Sequence, residues 1–119
     1  MGGLFGGKSR EERETEHQQK QQQQLSLARQ YNDMVSRSLE QLTHWAFPDS
    51  RAEYDEGGSW QLSHTADDGQ KYVDVTVTLQ FDDDTPAYFE CKTQENDEST
   101  DGLTREELND ALRWVICRS

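Results

Sequence analysis

Oxygen-bearing side chains stand at alternate positions in Asp97-Glu98-Ser99-Thr100-Asp101-Gly102, the arrangement in this chain best suited to a hard cation. Asp97, Ser99 and Asp101 would supply the ligands, and Gly102 would allow the sharp turn that gathers them. The run Asp82-Asp83-Asp84 is a weaker candidate, because three carboxylates in a row serve equally well as a hydrated turn. Nucleophilic chemistry would have to draw on His17, His44 and His64 and on the thiols of Cys91 and Cys117. His64 shares the parity of Trp60 and Leu62 and would face the strand that carries Cys91, which is the geometry of a base and a thiol. A core-edge histidine beside a structural cysteine accounts for the same pattern more simply. For enzymatic chemistry the chain offers no nucleophile elbow, no phosphate loop and no ligand pair at a diagnostic catalytic spacing, so no enzyme activity and no cofactor is expected. The two cysteines lie far apart without zinc-site spacing and are expected to be free thiols.

The segment from Asp97 to Leu108 resembles the opening of an EF-hand calcium loop, with Asp97, Ser99 and Asp101 at its first, third and fifth positions and Gly102 at its sixth. The resemblance implies Ca²⁺ as the ligand. Leu108 stands where that loop needs a bidentate glutamate, Glu107 falls one residue short, and a strand pattern precedes the loop instead of a helix.

Charge narrows the range of partners. Residues 1–50 carry six basic against seven acidic side chains, net −1, while residues 51–119 carry six against seventeen, net −11, giving −12 for the 119 residues. Nucleic-acid binding draws most of its affinity from Lys and Arg on phosphates, so a nucleic acid or an anionic membrane surface is a poor ligand for this chain. Basic proteins and cations are the favoured partner classes. No apolar run approaches the ~18 residues of a membrane span, and no basic segment leads into an apolar stretch, which predicts a cytoplasmic location.

The elements that must position these residues divide at about residue 24. Residues 1–24 combine a glycine-rich tip holding Leu4 and Phe5, a capping box from Ser9 to Glu12 and a polar glutamine-rich extension without an apolar face. Residues 25–119 read as a small acidic domain. Its first helix is expected over residues 25–46, with Ala28, Val35, Leu39 and Leu42 on one face. Leu27, Tyr31, Met34 and Trp45 widen the apolar arc to roughly 180°, beyond the ~100° one sheet face needs, so this helix is expected to touch two surfaces. Three strands follow: one through Trp60, Leu62 and His64; one through Val73, Val75, Val77, Leu79 and Phe81; one through Ala87, Phe89 and Cys91. Residues 51–55 offer a short additional strand. Asp67-Asp68-Gly69 and the Asp82 to Pro86 stretch are turn chemistry, which makes the sheet an antiparallel meander. Thr104-Arg105-Glu106-Glu107 is a capping box and Leu103 against Leu108 a hydrophobic staple, so the last helix begins at Thr104.

The expected fold is α+β, in the order α-β-β-β-α, with a three-stranded antiparallel sheet packed on one face by two helices. This order is similar to the topology of double-stranded-RNA-binding domains, which place lysines at the start of their final helix. Thr104-Arg105-Glu106-Glu107 stands there instead, so the resemblance implies pairing with protein and not with RNA. The expected function is a non-catalytic protein-interaction or accessory subunit, self-association included, contacting its partner through Leu4, Phe5, Leu27, Tyr31, Met34 and Trp45. Two alternatives stand beside it: a binding module for a cation or small ligand, through the Asp97 loop or the face of Tyr72, Thr76 and Tyr88, and an acidic inhibitor of a basic partner.

Overall fold

Val75, Val77 and Leu79 alternate with Thr76, Thr78 and Gln80, which makes one side of a strand apolar and the other wet. The structure, a computed structural model, describes residues 22–55 and 58–117. Leu4, Phe5, His17, the capping box from Ser9 to Glu12 and the first part of the glutamine run lie outside those residues. The described part is α+β. A five-stranded antiparallel sheet runs in the order β1-β2-β3-β4-β5, formed by β1 (Arg51–Asp55), β2 (Ser59–Thr65), β3 (Lys71–Asp82), β4 (Thr85–Lys92) and β5 (Asp97–Ser99). No described helix is long and apolar enough to cross a membrane.

The sheet therefore has five strands where three were expected. In β1, Ala52 and Tyr54 turn toward the core between exposed Arg51, Glu53 and Asp55. Asp97, Glu98 and Ser99 have poor strand propensity, and tertiary contacts override it. Beyond them Thr100 is buried and tied twice to β4: its N–H donates to the Phe89 carbonyl at 2.9 Å, and its Oγ1 accepts the Phe89 N–H at 2.9 Å. The tie holds residues 97–99 in register with Lys92, Cys91 and Glu90.

Two irregularities break the expected parity. Leu62 pairs with Val75 and Ser63 with Val73, which leaves Asp74 as an extra residue on β3. Gln80 pairs with Tyr88 and Phe81 with Pro86, which does the same for Ala87 on β4. Val73 accordingly drops out of the core set of Val75, Val77 and Leu79. The β2–β3 hairpin closes on Gly69 at φ +83°, with the Gly69 N–H donating to the Ala66 carbonyl at 2.9 Å.

The helix expected over 25–46 is two. Residues 22–29 are helical (α1), residues 30–31 form a turn, and α2 spans Asn32–Trp45. At the junction, Gln30 and Tyr31 donate to the carbonyls three residues back, Leu27 and Ala28, which tightens the last turn of α1. Asn32 then fixes the break to the sheet: its Oδ1 accepts the Trp60 indole N–H at 3.0 Å and the Ser36 hydroxyl at 3.1 Å. At the other end of the chain α3 (Arg105–Cys117) starts as its capping box predicts, with Thr104 Oγ1 accepting the Glu107 N–H and donating to the Glu107 carboxylate at 2.7 Å.

Both long helices cover the same sheet face. Val35, Leu39 and Leu42 of α2 and Leu108, Ala111, Leu112 and Val115 of α3 bury Trp60, Leu62, Val75, Val77, Leu79, Phe89 and Cys91. Around Trp60 an aromatic cluster forms, with Tyr54 at 5.0 Å, Phe89 at 6.5 Å and Tyr31 edge-on to Phe89 at 5.7 Å between ring centres.

Candidate interaction site

The bulge at Asp74 turns a residue of the expected wet face toward the helices. Its carboxylate meets two donors from different elements. Ser50, buried in the link between α2 and β1, donates its hydroxyl to Asp74 Oδ2 at 2.5 Å. His64 on β2 places Nδ1 at 2.8 Å from the same oxygen, so Nδ1 carries the proton when the carboxylate accepts. The His64 ring also stacks on Tyr72, its cross-strand partner, with centres 5.7 Å apart. The bulge thus separates Tyr72 from Thr76 and Tyr88, which were expected to share a face with it.

Serine, histidine and aspartate are together here, but not in a nucleophilic order. Activation of a hydroxyl requires the imidazole to take its proton, with the carboxylate behind the imidazole. In this cluster the serine donates to the carboxylate directly. The arrangement orients Asp74 and leaves Ser50 Oγ occupied. Both bonds fall on Oδ2, and no hydrogen bond to Asp74 Oδ1 is formed among the described residues.

Asp74 lines a cleft of about 290 Å³ at the end of the molecule where α2 leads into β1 and α3 ends. Phe47, Val115 and Ile116 form its apolar wall, and residues 93–96 of the β4–β5 link close the other side. Asn96 fastens that link to α3 by donating its side-chain N–H to the Val115 carbonyl at 3.2 Å. Two residues before Phe47 stands Trp45, 53% exposed.

The other expected contact residues take different places. Tyr31 and Met34 are partly buried against the core, and Leu27 is half-buried on α1. The apolar arc therefore spends Tyr31 and Met34 on the sheet and leaves Trp45 outside. His44 is exposed in the last turn of α2.

The cation-loop residues form a strand instead of a loop. Asp97 pairs with Lys92 and Ser99 with Glu90 on the face away from the helices, while Asp101 follows the buried Thr100. Lys92 donates to Glu90 at 2.8 Å; this hydrogen bond and the charges of Glu90 and Asp97 raise its pKa above the ordinary value. Glu98 points the other way and lines a cleft of about 260 Å³ with Asp101, Glu107, Asp110 and Trp114. Among the described residues no group of three or more His, Cys, Asp or Glu is placed to hold a metal ion.

Cys91 is separate from His64. It is fully buried opposite Val77, and burial, followed by the charges of Glu98 and Glu90, pushes its pKa up to about 12. Both cysteines are free thiols, with Cys117 exposed.

Asp74 was legible in the sequence only as a polar alternate of β3, and Ser50 only as part of a helix stop. The one local signal was an aspartate in the middle of a Val- and Thr-rich strand. Comparison with protein-family models, curated proteins and solved structures gave no match to this chain.

Proposed function

We propose that this protein is a non-catalytic interaction module that docks a basic partner protein at the end formed by Trp45, Phe47 and the Asp74 cleft. The exposed indole of Trp45 carries the reading. Tryptophan is costly to leave in water and is enriched among residues that dominate interface energies. Net charge supplies the partner's chemistry. At −12 overall, two copies of this chain repel each other, whereas a basic surface is attracted and steered in.

The test is cross-linking of the assembly recovered with a tagged full-length chain, followed by binding measurements with the identified partner. A basic protein cross-linked beside Trp45, and weakened at least tenfold by Trp45→Ala and by half-molar salt, supports the reading. Recovery of copies of this chain alone, or binding indifferent to both changes, rejects it.

A further inference from the structure

The cleft beside Asp74 has features that a general acidic surface lacks. Its carboxylate is held in place from two sides, because Ser50 and His64 both bond to Oδ2 and belong to different elements. Oδ1 keeps its accepting capacity, with no hydrogen bond to it among the described residues. An acceptor already oriented by the fold loses little freedom when a donor arrives. Next to it the wall changes character. Phe47, Val115 and Ile116 are apolar, and the exposed Glu95 stands on the facing link. Among the described residues, no lysine or arginine lines the cleft.

We infer that this cleft receives an arginine side chain of the partner protein, its methylenes along Phe47, Val115 and Ile116 and its guanidinium on Asp74 Oδ1 and Glu95. The inference rests on the interaction reading above and deepens it. Size favours one side chain over a free metabolite, since about 290 Å³ lies just under the range of ~300–1,000 Å³ usual for small-molecule pockets. Guanidinium suits the mixed wall better than ammonium. It is more weakly hydrated, it presents several N–H donors in one plane, and it can lie against the Phe47 ring. Because Oδ2 already accepts two donors, the contact to Asp74 is a single charge-assisted hydrogen bond and Glu95 takes a second donor.

The experiment titrates the full-length, ¹⁵N-labelled protein with N-butylguanidinium and, separately, with guanidinium at matched ionic strength, following backbone amide shifts. The expected result is saturable shifts centred on Phe47, Asp74, residues 93–96, Val115 and Ile116, with the butyl compound half-saturating at a roughly tenfold or more lower concentration because its chain is buried. Glu95→Lys changes only an exposed link residue and should abolish saturation while leaving the spectrum folded. Asp74→Asn should weaken binding at least tenfold. Equal potency of the two compounds, shifts scattered over the acidic residues 97–110, or indifference to Glu95→Lys overturns the inference. A failed titration alongside a basic partner that still requires Trp45 would remove the cleft assignment alone. A successful one without any such partner would remove the interaction reading and leave a guanidinium site.

Discussion

Ser50 Oγ donates to Asp74 Oδ2 across 2.5 Å although the two residues lie 24 positions apart, and this bond joins the exit of α2 to the bulge of β3. A hydrogen bond to a charged acceptor contributes about 1.5–3 kcal/mol when partly shielded from water. Ser50→Ala should therefore lower the unfolding free energy by about 1–3 kcal/mol in urea titrations. A change below 0.5 kcal/mol, on the scale of an ordinary surface substitution, would mean that water replaces the serine at no cost.

Ser38 has the opposite problem. It is 1% exposed on the core face of α2, and its hydroxyl has no hydrogen-bond partner among the described residues. A buried orphan hydroxyl costs about 1–3 kcal/mol, and alanine is the better helix former. Ser38→Ala is expected to raise stability by about 1 kcal/mol, read as a higher urea midpoint at unchanged slope. A lower midpoint would show that the hydroxyl has a partner, such as a trapped water.

The two thiols should behave differently. Exposed Cys117 should react with a thiol reagent in the native protein, while Cys91, buried and with its pKa pushed up to about 12, should react only on unfolding. The sign of the linked stability follows. The folded state keeps the Cys91 proton after the unfolded chain has lost it, so the unfolded state binds fewer protons between about pH 9 and 12. Stability is full below pH 9 and falls through that window, by about 1.4 kcal/mol per unit at most. Tyrosines and lysines titrate there too, so the diagnostic is the comparison with Cys91→Ala, whose curve should be flatter. Parallel curves would mean that the thiol ionises in the fold as freely as in water.

Millimolar Ca²⁺ should leave the thermal midpoint unchanged, because Asp97 and Ser99 are fixed in β5 and Asp101 lies beyond Thr100, which is tied to Phe89. A ligand that binds the folded state alone must raise its stability. A midpoint that climbs with Ca²⁺ and not with Na⁺ at equal ionic strength would restore the cation module.

Local pattern was enough for the parts that depend on neighbours in sequence. The alternation of β2, β3 and β4, the turn at Gly69 and the Thr104 start of α3 are set by which side chains leave water and by hydrogen bonds spanning three or four residues. The additional strand at 51–55 was visible as well. What tertiary structure decided was the register between distant segments. Val73 and Asp74 change roles because β3 carries one more residue than β2 at that point, a mismatch of two strands that neither sequence contains alone. The break after residue 29 depends on Trp60 reaching Asn32, and β5 depends on Thr100 bonding to Phe89. The Asp74 cluster belongs to the same class: its donors come from the end of α2 and from β2, and only folding brings them to one oxygen. Periodicity reports the division between core and solvent along a segment, whereas a site is a meeting of segments, set by long-range pairing and packing.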